Sequence, residues 1–476
     1  MLARGSWHVS LPRLQMLIFA LILVFLPTQL GRHFWPEWAY INGVRVDYFS
    51  PTLYLTDVLI IGLVGLEVAR WVFGKKRVEL GILGVLGILG VLGLANMMVS
   101  LSPAVTAYKW VKVAEFGFLG WWICRHGILF KPWRKLGAIL AVPILYESIL
   151  VVWQFLSQSS IGGIWYFLGE RTFNAGMPGI ANAYLNGALV LRPYGTFPHP
   201  NVLGGFLAVV LPLILALRLR SGQAGQAGQG RSVQSRFLHN SRRINERGIL
   251  GVLGLGYTAL VLSMSRGAIV VGVATSLAVV AINLKSQISN LKKTSEISKS
   301  VLVGLVILVA VAAIFIWPRF TSILVETEPI TVRERLNELA LEQWRQSPII
   351  GVGLGTSPLY GLQATLRQVQ GRPFGSAQGR PVYSLSQTNY ALRYQPTHNI
   401  YLLVLSETGL VGLGVFGLVI IYVLRKLVRE RNYVLLTPLV TILVLGMFDH
   451  YFLTVQQGQL LMTGISGLAW AKAGKS

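Results

Sequence analysis

Residues 198–217 read PHPNVLGGFLAVVLPLILAL, an apolar run without a Lys, Arg, Asp or Glu. A helix of about 20 such residues crosses the hydrocarbon core of a bilayer, where every backbone group must find its partner within the segment. Reading outward for the same signature gives twelve candidate spans. They fall at about 14–30, 52–73, 79–99, 106–124, 136–157, 198–217, 248–264, 267–284, 300–317, 399–424, 433–448 and 452–471. No small-x-small cleavage site follows Leu26-Pro27, so the first is read as a span and not as a cleaved signal peptide. Composition agrees: 53% of the 476 residues are hydrophobic and only 13% charged, against about 25% charged in soluble domains. Disorder, collagen and coiled coil are excluded by these values. The lone Cys124 excludes a disulfide scaffold. The expected fold is an all-α polytopic membrane protein.

Lys and Arg number 42 against 18 Asp and Glu, a formal net charge of +24. In a soluble chain this would suggest nucleic acid. Here it reads as basic loops beside an anionic membrane, and no nucleic-acid partner is expected. With the N-terminus inside, the cytoplasmic segments hold 26 Lys and Arg. The short outer loops hold Arg32, Arg45, Arg171, Arg192 and Arg266. The positive-inside rule therefore places both termini in the cytoplasm. The outer segment between spans nine and ten, 318–397, is rich in arginine, but long loops escape that rule. Such a loop is more often functional than decorative. SGQAGQAGQG (221–230) and QGRPFGSAQGRP (370–381) read as flexible insertions, and 221–247 as a basic flexible cytoplasmic loop. The glycines of GILGVLGILGVLG (81–93) suit close helix packing.

Five features gather at the outer face. RPYGTFPHPN (192–201) is a Pro/Gly turn before span six; its plain alternative is a helix entry capped by Asn201 or Thr196. SMSRG (263–267) is a tight hairpin that holds Arg266 near the acyl boundary. There a guanidinium suits bidentate phosphate recognition, although edge arginines commonly snorkel. TVRERLNELALEQW (331–344) has apolar residues at helical spacing, an amphipathic helix outside the bilayer. Arg333 and Arg335 sit in its first turn, where positive charge opposes the helix dipole; local pairs such as Arg335 with Glu338 are the alternative. PTHNIY (396–401) places His398 at the mouth of span ten, as a general base or an interfacial histidine. Asp449-His450 precedes the last span, where the acid orients a histidine or arginine, or caps a helix. No HExxH, cysteine pair or acidic cluster is present, so no metal or cofactor is expected.

The order RPYGTFPHPNVLGGFLA, SRGA, VRERLNELALEQWRQSPIIGVGLG, QPTHNIYLLVLSETGLVGL, FDHYFLTVQQGQLL resembles the O-antigen ligase / O-antigen polymerase superfamily. The resemblance covers about 190–465, leaving 1–189 as N-terminal spans one to five with an outer loop. It implies a metal-independent glycosyltransferase of the bacterial inner membrane, working in surface polysaccharide or lipopolysaccharide biosynthesis. The donor would be an undecaprenyl-pyrophosphate-linked glycan; the acceptor a lipid, a glycan or a protein hydroxyl. By motif position, Arg192 and Arg266 would contact the pyrophosphate. The family arginine of R-x-x-x-N falls on Arg333, with Arg335 as second choice. His398 would be the base and Asp449 a supporting residue. The insertion at 370–381 departs from the family pattern and leaves the acceptor open.

Two other classes compete. A transporter or flippase of lipid-linked saccharides would place its polar groups near midplane, often on repeats; no repeat is evident, and the polar residues gather at the outer edge. A membrane scaffold would make the arginine and histidine placement incidental.

Overall fold

The computed structural model describes residues 11–41, 43–73, 80–126, 133–185, 187–226, 235–289, 317, 328–360 and 395–471. Helices occupy eleven of the twelve expected spans: α1 (Leu11–Val24), α2 (Leu55–Phe73), α3 (Leu80–Met98), α4 (Pro103–His126), α5 (Trp133–Ser157), α7 (Pro200–Gln226), α8 (Ser235–Leu262), α9 (Arg266–Ser289), α11 (Ile400–Arg429), α12 (Tyr433–Leu445) and α14 (Gln456–Trp470). The ninth, 300–317, lies outside the described residues apart from Trp317, as do 319–327 and the insertion at 370–381. Short α6 (Ile164–Phe167) and α13 (Tyr451–Thr454) and the amphipathic α10 (Glu328–Gln346) complete the set. Among the described residues four helices, at Lys135–Ser157, Pro200–Arg220, Arg266–Lys285 and Ile400–Arg429, are long and apolar enough to cross a membrane.

The run that opened the sequence reading forms α7, and it is the centre of the bundle. Pro200 takes the first helical position, where its fixed φ is pre-set and its missing N–H costs nothing. The helix is buried along its apolar length, with α5, α8, α9 and α12 packed around it. Small residues permit that packing. A Cβ on Gly204 would come within 3.0 Å of Ala268 Cβ, and one on Gly272 within 3.0 Å of Ala208 Cβ. This small-xxx-small contact joins α7 to α9 at close range. The glycine run on α3 behaves differently from expectation: a Cβ on Gly93 would meet the Trp110 ring, whereas one on Gly87 or Gly90 would meet nothing within 4 Å among the described residues.

Two departures from the sequence reading stand out. First, the fold is mostly helical but not all-α. Two-stranded antiparallel sheets pair Gly31–His33 with Thr52–Tyr54, Tyr40–Ile41 with Val44–Arg45, and Asn182–Leu185 with Ala188–Leu191. In the sequence, Asn-Gly stands between the strands of the last two ladders, at 42–43 and 186–187, the dipeptide that best accommodates a two-residue hairpin turn. Second, the stretch 221–247 is helical at both ends, since α7 reaches Gln226 and α8 starts at Ser235.

Helix α11 is broken at Gly409, where φ is 66° and ψ −166°. The break would leave backbone groups unpaired, and residues 348–353 supply the partners. Val352 and Gly353 N–H donate to the Ser406 and Glu407 carbonyls at 3.0 and 3.1 Å. Leu410 and Val411 N–H donate to the Pro348 and Ile349 carbonyls at 2.8 and 3.1 Å. From α3, the Asn96 amide donates to the Ile350 and Glu407 carbonyls at 2.7 and 2.8 Å and accepts from Leu354 N–H. The Glu407 carboxylate accepts from Gly355 and Ser357 N–H.

This close approach of two backbones requires glycine. A Cβ on Gly351 would lie 2.3 Å from the Glu407 carbonyl carbon, on a residue with φ of +71°. Gly351→Ala is therefore expected to destabilise the fold by about 2 kcal/mol or more. Gly87→Ala, which meets nothing, is expected to be neutral or slightly stabilising. Thermal unfolding in detergent separates the two; equal melting temperatures would refute the splice as a structural constraint.

Candidate functional site

The loops at one end of the bundle bring together residues from segments far apart in sequence. His398 stands immediately before Asn399, which caps α11 by accepting from Tyr401 and Leu402 N–H at 2.9 and 3.1 Å. The Ile400 N–H donates to the Gly446 carbonyl at 2.8 Å, so the start of α11 is tied to the end of α12. That tie sets Asp449 beside His398, with Oδ1 3.5 Å from Nδ1. The separation makes it a loose ion-pair contact, longer than a hydrogen bond. The other imidazole nitrogen, Nε2, meets Gln395 Oε1 at 3.1 Å.

Asp449 is the hub. Its Oδ1 also accepts from the His450 N–H at 2.9 Å, and its Oδ2 from the Asn201 amide at 3.3 Å. Asn201 Oδ1 in turn accepts from Arg192 Nη2 at 2.7 Å. Arg192 is buried, and its Nε donates to the Ser263 carbonyl at 3.1 Å. This joins it to the 263–266 turn, where Arg266 opens α9. A polar chain therefore runs from Arg192 through Asn201 and Asp449 to His398. His450 closes it, its ring 4.8 Å from that of His398 and its Nδ1 2.6 Å from Thr454 Oγ1.

Arg333 and Arg335 part company. The charge of Arg333 acts on Asp449 and on His450, so it reaches the cluster from α10. Arg335 lies on the exposed side, paired with Glu338 at 2.9 Å and 3.8 Å from Glu342, its side chain 42% exposed. Four residues on from Arg333, Asn337 accepts from the Thr397 hydroxyl at 2.8 Å. That bond ties α10 to the residue before His398.

Burial alone would raise the Asp449 carboxyl; the neighbouring His398, then the charges of His450 and Arg333, outweigh it and hold the acid well below its usual range. His450 is pushed down to about 3, first by burial and then by the charge of His398, against the opposing pull of Asp449. At neutral pH Asp449 is an anion and His450 a neutral ring. Chemically the cluster offers an anion-supported imidazole beside guanidinium groups, which suits proton removal next to a phosphate-bearing ligand. His398, Asp449 and His450 also each present one ligand atom, all within 4.8 Å of one another. That is a possible seat for a divalent ion which the sequence spacing did not reveal.

Two further residues were missed in the sequence because they lie in an apolar span. On α5, Glu147 accepts from the Thr196 N–H at 3.0 Å and from its hydroxyl. Two turns further along the same face, Gln154 Oε1 accepts from Tyr194 and Gly195 N–H at 3.0 and 2.8 Å, while its amide donates to the Gly195 carbonyl and to Glu170. These buried groups wrap the turn that carries Arg192. An ionisable residue inside a membrane span is itself the signal that marks them.

Residues 250–417 match a family model described as O-antigen ligase. The match takes in Arg266, Arg333, Arg335 and His398; Arg192, Asp449 and the α5 residues fall outside it. No curated protein matches the chain.

The two shifts together make stability depend on acid. Between about pH 6.5 and 3 the unfolded chain protonates His450 while the folded chain refuses that proton, so stability falls as pH falls. Asp449, held ionised in the fold, adds to the loss below about pH 4. The melting temperature in detergent is expected to drop on acidification from pH 7.5 to 4.5, and His450→Gln to flatten that slope. Identical slopes for the two proteins would refute the assignment.

Proposed function

We propose that this chain, related to the O-antigen ligases and polymerases through residues 250–417, transfers an undecaprenyl-pyrophosphate-linked glycan to an acceptor hydroxyl at the outer face of the bacterial cytoplasmic membrane. The relation carries the coarser statement plainly: a multi-pass membrane protein with a glycosyl-transferring role of ligase or polymerase type in surface polysaccharide biosynthesis. The finer reading is supported above all by the chain Arg192–Asn201–Asp449–His398. It sets a histidine against a buried anion and a guanidinium within one cluster.

In this reading the pyrophosphate leaves as the anomeric C–O bond breaks, and its growing charge needs fixed donors. Arg192, Arg266 and Arg333 provide them. Asp449 holds the Nδ1 proton of His398 toward itself, so that Nε2 is the nitrogen free to take the acceptor proton once the substrate displaces Gln395. The acceptor oxygen then attacks the anomeric carbon as the lipid pyrophosphate departs. Neither step calls for a metal. Arginines gathered at the outer edge of the membrane fit a lipid-tethered donor held at the outer leaflet.

The purified chain in nanodiscs is expected to consume undecaprenyl-pyrophosphate oligosaccharide when offered lipid A-core, a second lipid-linked glycan or a serine/threonine-rich protein. His398→Ala is expected to lower transfer roughly 10²–10⁴-fold with donor binding retained. Arg266→Ala is expected to lower it roughly 10²–10³-fold. Donor that crosses leaflets without being consumed would replace transfer with flipping.

Chelation tests the His398–Asp449–His450 triad as a metal seat. Activity is expected to survive EDTA; loss restored by a divalent ion would overturn the metal-free mechanism.

A further inference from the structure

The hairpin between α1 and α2 brings one more group to the cluster. Residues Val46-Asp-Tyr-Phe49 form a turn closed by the Phe49 N–H on the Val46 carbonyl at 3.0 Å. Val46 and Phe49 are buried in a small core with Ala39, Ile41 and Val105, and Leu359 packs on it. The turn is thus held from both sides, and it presents Tyr48 edge-on to His450, ring centroids 5.7 Å apart. Among the described residues the Tyr48 hydroxyl makes no hydrogen bond, although its ring packs on the Val46–Phe49 core and stands against His450. Burial, then the charges of Asp449 and Asp47, pushes its pKa up, so it stays a neutral phenol.

We propose that the Tyr48 hydroxyl binds the hydroxyl-bearing acceptor beside His398. The proposal rests on the transfer reading above. Asp449 divides the cluster: Oδ2 faces Asn201 and Arg192, whereas Oδ1 faces His398 and the His450 N–H. Tyr48 stands on the His450 side. The guanidinium groups serve a pyrophosphate better than a phenol does, since charge-assisted bonds are the stronger ones. A neutral O–H that can both donate and accept suits a neutral hydroxyl. Packing alone would be served equally by phenylalanine, so the hydroxyl is the informative atom.

Tyr48→Phe isolates it. Steady-state transfer is measured with undecaprenyl-pyrophosphate oligosaccharide and whichever of lipid A-core, second lipid-linked glycan or serine/threonine-rich protein the wild type glycosylates. The acceptor KM is expected to rise about 3–10-fold, the loss of one hydrogen bond, with donor KM and melting temperature unchanged. Tyr48→Leu, which also removes the ring, is expected to lower the melting temperature as well. An unchanged acceptor KM overturns the proposal, and so does a rise confined to the donor or a Tyr48→Phe protein as destabilised as Tyr48→Leu. A wild-type chain inert toward all three acceptors removes the transfer reading and this proposal together. An active wild type with an unaffected Tyr48→Phe removes the role of Tyr48 alone.

Discussion

A helix broken inside an apolar bundle has backbone donors and acceptors that water cannot reach, and whatever supplies their partners is fixed by doing so. In α11 the partner is the segment 348–353, which exchanges four backbone hydrogen bonds with the two sides of the Gly409 break. The segment follows α10 after a single turn. The position of α10 is therefore dictated by the helix that begins at His398, and the Asn337–Thr397 bond repeats the tie at the other end. Arg333 and His398 lie 65 residues apart in the sequence, yet each is placed by the same two attachments. A loose surface helix could not hold a cation at a set distance from a base; one spliced into a membrane span can.

The part of the chain that precedes the family match, residues 1–249, belongs to the same construction. Asn96 on α3 bonds to both strands of the splice. Glu147 and Gln154 on α5 satisfy the backbone of residues 194–196 and so fix the turn that bears Arg192. Each of these side chains is buried among apolar residues, where an unsatisfied polar group costs about 1–3 kcal/mol. Their polar atoms are spent on loop backbone, which converts membrane-embedded helices into rigid mounts for the irregular segments above them. A site built from loops gains in this way the positional precision that regular elements usually supply.

How much of this was legible in the sequence follows from the range of each interaction. The spans were readable because twenty apolar residues in a row are a local signal. The order of motifs picked out Arg192, Arg266, Arg333, His398 and Asp449 as candidates, and the structure links Arg192, Asp449 and His398 in one polar chain. Asn201 was visible only as a helix cap; its role as the bridge from Arg192 to Asp449 depends on a contact 248 residues away. The Asn-Gly dipeptides at 42–43 and 186–187 are local hairpin signals and could have been found, but the apolar runs on either side drew the reading toward helix. Glu147 and Gln154 were also in plain view, inside span five. The expectation that polar residues gather only at the outer edge hid them, and with it the support they give to the 192–201 turn.

The choice between Arg333 and Arg335 shows how far helical geometry alone can go. Residues two apart on an α-helix are separated by about 200°, so they share no face. Once Leu336, Leu339 and Ala340 are buried, the helix has one side turned inward and can offer the cluster only one of the two arginines. Asn337 lies four residues after Arg333, on the same face, and it is Asn337 that bonds to Thr397. Arg335 falls on the other side, within reach of Glu338 and Glu342 at the spacing expected of neighbours on an exposed face. The pattern R-x-x-x-N is thus a statement about one helix face, on which Asn337 anchors the helix to the histidine-bearing loop and Arg333 lies one turn before it.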